Sequence, residues 1–196
     1  MGFIAAFSMS TAAIFFAEMG DKTQLVAMSL ATRYRVVTVL LGITVATAAV
    51  HGASVLIAEV LGMAIPTDWA TLAAGVAFLV FGVWTLIGDE LTEKDEARAA
   101  SRRISSPLMT VCAVFFVAEL GDKTMLTTIT IGTQYDWFPV WIGSTVGMVL
   151  ADGIGIALGA ALGKRLPERA VQIGAAALFF LAGGALLLQG VRMVAV

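Results

Sequence analysis

The chain has 196 residues, 59% of them hydrophobic and only 13% charged, with a formal net charge of -2. A soluble domain carries about 45–50% apolar and about 25% charged residues, so the composition excludes an ordinary water-soluble globule and points to lipid. The single cysteine, Cys112, excludes an internal disulfide, and nothing in the charge pattern calls for a nucleic-acid partner.

Six apolar segments follow one another: Phe3–Ala31, Val36–Met63, Trp69–Gly88, Pro107–Gly132, Phe138–Gly163 and Ala170–Val194. Each is long enough to span a bilayer, which takes about 20 apolar residues. The N-terminus (MGFIAAFSMS) lacks the basic stretch of a signal peptide and reads as the start of a retained first helix. The breaks are short and polar (TRYR, AIPTD, TQYD, KRLPER), apart from residues 89–106, which hold five acids and four bases and read as a solvated linker. The expected fold is an all-α integral membrane protein: residues 1–88 form one three-helix repeat, 89–106 the linker, and 107–196 a second repeat.

Lys and Arg placement sets the orientation. With six spans, one side carries Arg33, Arg35, Lys94, Arg98, Arg102, Arg103, Lys164, Arg165 and Arg169, and the other only Arg192. Both termini are then expected outside and the linker in the cytoplasm. An odd number of spans per half makes the two halves inverted.

The halves are repeats with a constant offset of 101 residues. Glu18, Gly20, Asp21, Lys22 and Thr23 map onto Glu119, Gly121, Asp122, Lys123 and Thr124. Gly42, Gly52, Gly62, Pro66, Phe78 and Gly82 map onto Gly143, Gly153, Gly163, Pro167, Phe179 and Gly183 with no gap. Inverted repeats of this kind recur in secondary transporters, with the substrate site near the midplane between them. The fifth segment also carries a small residue at every fourth position, Gly143, Gly147, Ala151, Gly155, Gly159 and Gly163. Such a stripe lets helix backbones approach closely. It reads first as packing within the bundle and second as a homodimer seam.

The doubled Glu-x-Gly-Asp-Lys-Thr places three charges near the middle of each of two spans. One charge at that depth costs about 2.5–3.5 kcal/mol, and three roughly 8–10. The nine Leu, Ile, Val and Phe residues of the first segment return only about 3–5 kcal/mol. Neither helix is therefore expected to face lipid with its charges, and each turns them toward the other helix or toward water. On a continuous helix Glu and Asp at i and i+3 share a face. Gly20 and Gly121 loosen the backbone between them, which would free carbonyl oxygens as further ligands.

Glu18, Asp21, Glu119 and Asp122 are accordingly the expected metal-binding residues. Four carboxylates and two lysines sum to -2, which one divalent cation neutralises. All-oxygen donors suit hard ions such as Ca²⁺, Mn²⁺ and Mg²⁺. Without metal the clustered carboxylates repel one another and protons relieve the repulsion, so metal binding would release protons. That is a physical basis for exchange. The bland alternative is that acids and lysines only neutralise one another in helix packing, an account that suits Lys22 and Lys123 better than the acids. Thr23 and Thr124 could add hydroxyl oxygens. His51 and Asp152 stand at equivalent positions of the second and fifth segments, where a proton relay is weighed against simple packing. Met9, Met19, Met28, Met125 and Met148 read as packing residues. No resident cofactor and no catalytic residue is expected.

With both motif copies complete, the chain resembles the second calcium:cation antiporter family, whose signature is E-x-G-D-K/R-T/S once in each three-helix half. The resemblance covers the whole chain. It implies export of Mn²⁺ or Ca²⁺ in exchange for protons, with Glu18, Asp21, Glu119 and Asp122 binding the ion. The compact length resembles bacterial members, which implies a multi-pass protein of the inner membrane and favours Mn²⁺. Competing readings are an exporter of organic cations such as basic amino acids, a passive cation channel, and an intramembrane aspartyl hydrolase. Only Phe15, Phe16, Phe115 and Phe116 stand near the motifs to wall an organic substrate.

Overall fold

In the computed structural model the described residues are 2–87, 106–162 and 168–195, and they form eight α-helices and no strand. The first half supplies α1 (Phe3–Glu18), α2 (Lys22–Ala31), α3 (Val36–Ala64) and α4 (Thr67–Ile87). The second supplies α5 (Pro107–Glu119), α6 (Lys123–Gly132), α7 (Trp137–Leu162) and α8 (Glu168–Val194). The expected linker falls almost wholly outside the described residues, as do Gly163 and Pro167 of the repeat.

Among the described residues four helices are long and apolar enough to cross a membrane: Val36–Ala64, Thr67–Ile87, Trp137–Ala161 and Ile173–Val194. Phe3–Glu18 together with Thr23–Ala31 makes a fifth span if the pair, bent by 77°, counts as one. The first and fourth apolar segments are thus not continuous helices. Each is cut at its motif glycine. Gly20 and Gly121 sit at φ 78° and 81°, in the left-handed region that costs other L-residues roughly 1–2 kcal/mol. The flanking Met19 and Asp21, and Leu120 and Asp122, are extended. Pro107 opens α5, where its missing N–H costs no hydrogen bond.

The break corrects one expectation. Glu and Asp of a motif do not share a helical face: Glu18 and Glu119 end their helices, while Asp21 and Asp122 precede α2 and α6 as N-caps.

The halves pack crosswise. α7 runs along α1 and α2, α3 runs along α5 and α6, α3 and α7 cross, and α4 pairs with α8. The small residues explain the closeness. A Cβ on Gly147 would stand 3.1 Å from the Phe15 amide nitrogen, and Gly143 abuts Phe7 and Ser10. Gly155 and Gly159 make room for Gln24 and Met28, and Gly42 for Val111. The stripe of α7 is therefore spent inside the bundle against α1 and α2. Apolar side chains form two core clusters: Ile14, Ile43, Phe115 and Met148 belong to one, Phe78, Phe81, Phe179 and Val55 to the other.

The outer surface is apolar. Met63, Ile4, Ile87 and Leu181 are 81%, 78%, 75% and 72% exposed, which in water would be a severe liability. The helices' length and their apolar outer faces define a multi-pass helical membrane protein.

Candidate ion-binding site

The two breaks meet in the middle of the bundle and carry its charged groups into it. Glu18 and Glu119 are wholly buried, Asp21, Asp122 and Lys123 nearly so. Each glutamate accepts a hydrogen bond from the threonine five residues on: Thr23 Oγ1 donates to Glu18 Oε1, and Thr124 Oγ1 to Glu119 Oε2 at 2.5 Å. Across each break the start of α2 or α6 stays within hydrogen-bond reach of the glutamate that ends the preceding helix. Thr23 Oγ1 also lies 3.3 Å from Asp21 Oδ2.

The halves are joined at the site by charge. Lys123 Nζ of α6 donates to Asp21 Oδ1 at 2.7 Å, a buried ion pair between the two repeats. Glu18 and Glu119 lie within electrostatic reach of each other and of Asp21, and Glu119 of Asp122. The second oxygens, Glu18 Oε2 and Glu119 Oε1, have no hydrogen-bond partner among the described residues. As the side chains stand, no three His, Cys, Asp or Glu groups of the described residues have metal-holding geometry. The glutamates are turned to their own threonines, and Lys123 sits on Asp21.

Asp152 of α7 joins this cluster. It is wholly buried, and neither carboxylate oxygen has a hydrogen-bond partner among the described residues. It is within electrostatic reach of Glu18, Glu119 and Asp21. His51, its equivalent on α3, is equally buried with both ring nitrogens unpartnered. The repeat pairs the two positions in sequence, and Asp152 lies within electrostatic reach of the acids. The Lys22 side chain lies outside the described residues.

Two features escaped the sequence reading. Gln24 bonds both to its own break and to α7: Gly20 N–H donates to its Oε1 at 3.0 Å, and its Nε2 donates to the Ala151 carbonyl at 2.8 Å. Only its adjacency to the motif could have signalled this. A cavity of about 490 Å³ at the end of α3 is lined by Glu59, Met63, Thr133, Gln134, Tyr135 and Asp136. Its members come from distant segments, so no local pattern marks it.

A helical membrane protein that buries such a cluster between two broken helices has the build of an ion carrier. The family model described as "Divalent cation/proton antiporter GDT1" matches residues 6–93 and again residues 107–194. The chain belongs to this GDT1 family of divalent cation/proton antiporters. It is 34% identical over 181 residues to a Vibrio cholerae protein named "Putative manganese exporter", covering 91% of this chain and 87% of that one. It is 30% identical over 196 residues to a GDT1-like protein of Synechocystis, covering 91% and 94%. A chloroplast GDT1-like protein of rice is 31% identical over 209 residues, but the chain spans only 59% of its length. No solved structure matches the chain.

Proposed function

We propose that this protein exports Mn²⁺ in exchange for protons, through one site formed by Glu18, Asp21, Glu119 and Asp122. The observation that carries the reading is the meeting of two broken helices, which buries four motif acids together and ties the repeats by Lys123 and Asp21. The oxygen donors suit a hard divalent ion. Mn²⁺ is favoured over Ca²⁺ by the name of the Vibrio relative.

The chain crosses the membrane six times as two inverted three-helix repeats, both termini outside and residues 89–106 in the cytoplasm. The two separate family matches and the matched breaks at Gly20 and Gly121 support the duplication. The bacterial relatives favour the inner membrane. In this topology the end of α3 and the α6–α7 connection share the outer side, so Glu59 and Asp136 provide an acidic outer mouth.

The resident residues supply the exchange as follows. An arriving cation displaces the Lys123 ammonium from Asp21 and draws the free oxygens of Glu18 and Glu119 to itself. Thr23 and Thr124 hold the other oxygen of each glutamate and so orient it. Asp152 adds a negative charge beside the acids and takes a proton when the cation leaves. Protons and metal thus compete for one set of carboxylates, so binding one expels the other.

The test is metal uptake into proteoliposomes holding purified protein, comparing Mn²⁺, Ca²⁺ and Mg²⁺ with and without a pH gradient. Mn²⁺ uptake driven by internal acid, with matching proton efflux, is expected. Uptake indifferent to the gradient, or none of the three metals taken up, would sink the exchange reading.

A further inference from the structure

We infer that the two breaks are mechanically unequal: Gln24 is a positioning residue that fastens the α1–α2 break to α7, and the α5–α6 break is the one that moves when the site changes sides. The inference rests on the exchange reading above and adds which half of the site is the moving part.

It stands on three pairs of equivalent positions, at the offset of 101 residues: Gln24 and Met125, Val50 and Ala151, Ser54 and Gly155. In the first half, Gln24 is nearly buried. Its amide oxygen caps the Gly20 N–H at 3.0 Å while its amide nitrogen reaches the Ala151 carbonyl at 2.8 Å, on the residue beside Asp152. That reach needs space on α7, and Gly155 provides it: a Cβ at 155 would run into the Gln24 side chain.

In the second half the same three places hold different chemistry. Met125 still caps its glycine, its thioether accepting the Gly121 N–H at 3.3 Å. A thioether is a weak acceptor and has no hydrogen to donate, so Met125 sends no hydrogen bond to α3. The carbonyl equivalent to that of Ala151 belongs to Val50, and it is taken by the Ser54 hydroxyl of the same helix at 2.8 Å. One hydrogen bond across the halves has been exchanged for one within a helix. The surroundings agree. Gly121 is exposed, and a Cβ placed on it would meet no atom of the described residues within 4 Å. The α5–α6 break thus has room to turn about a glycine, while the α1–α2 break is strapped to a glycine-lined neighbour.

The test places single cysteines at the equivalent positions Met19→Cys and Leu120→Cys in a Cys112→Ser background, reconstituted in proteoliposomes. Maleimide reactivity is read with and without Mn²⁺, and wild-type vesicles are run for Mn²⁺/H⁺ exchange alongside. Reactivity at 120 is expected to change with Mn²⁺ by at least about threefold, within the range one neutral hydrogen bond commands, with 19 unchanged. Gln24→Met should make position 19 respond as 120 does and raise the KM for Mn²⁺ by about two- to twelvefold with kcat retained. The pair Ser54→Gly and Met125→Gln builds a strap on the second break. It should quieten position 120 and lower kcat at unchanged KM, an outcome that loss of folding does not mimic. Equal responses at the two positions, a larger one at 19, or none at either overturns the inference. If wild type still exchanges, the function reading survives that result. Loss of wild-type exchange is the separate failure of the function reading.

Discussion

The α1–α2 and α5–α6 breaks carry one motif and one backbone geometry, yet they sit in different surroundings. Both turn at a glycine with positive φ, and both hang a glutamate from a threonine five residues on. The first is packed along the small-residue stripe of α7, with Gly143 and Gly147 against the α1 backbone. The second lies along α3, whose stripe of Gly42, Ala46, Ser54, Ala58 and Gly62 is interrupted by Val50. The comparison teaches that a duplicated motif supplies two equal sets of ligands without supplying two equal hinges. Ligand geometry is local to the motif. Hinge stiffness belongs to whatever the motif packs against.

The largest expected effect tests the equality. Glu18→Gln and Glu119→Gln should each reduce Mn²⁺ exchange in proteoliposomes by more than about thirtyfold, the scale of losing a buried charged contact, with folding retained. A variant of one repeat that transports normally would break the idea of a single shared site.

Next comes the packing difference. Gly147→Leu drives a side chain into the α1 backbone, so it should destabilise by about 1–3 kcal/mol, the usual cost of overpacking. A Cβ at Gly153 meets only Leu40 Cδ2, at 3.8 Å, so Gly153→Ala should be close to neutral. Thermal unfolding in detergent compares the two, and equal midpoints would count against the tight α1–α7 seam.

A third test separates the sequence-equivalent Asp152 and His51. Asp152→Asn should leave Mn²⁺ movement in place but lower the number of protons moved per metal, measured by paired metal and pH indicators. His51→Gln should leave that ratio unchanged, because both ring nitrogens are buried without a hydrogen-bond partner among the described residues. The reverse result would assign the proton to α3.

The smallest effect is at the threonines. Thr23→Val and Thr124→Val should raise the KM for Mn²⁺ by about two- to twelvefold, the worth of one hydrogen bond. Thr23 also approaches Asp21, so its variant should show the larger rise.

Much of the candidate site was legible beforehand because its members sit in one hexapeptide stated twice. Burial of Glu18, Asp21, Glu119 and Asp122 follows from the energy of charges in hydrocarbon, and the loosening at Gly20 and Gly121 follows from the residue type. The extent of the loosening was not legible: a full break moves Asp21 off the helical face of Glu18, and spacing on a helix cannot anticipate that. Asp152 and His51 looked alike because periodicity sees only position. Lys123 could have paired within its own motif, and its choice of Asp21 from the other repeat depends on how the two breaks meet.

By itself, the sequence determined that this chain lives in a membrane, that it is helical, that its halves correspond, and that its charged motif residues must turn away from lipid. Those are matters of transfer free energy and periodicity, which act residue by residue. Tertiary structure decided which half packs on which, that Asp152 joins the acids, and that Gln24 ties one break to the long helix beside it while Met125 makes no such hydrogen bond. These depend on close contacts between segments about a hundred residues apart. A single hydroxymethyl group there, the difference between Gly155 and Ser54, redirects a hydrogen bond without altering any local pattern.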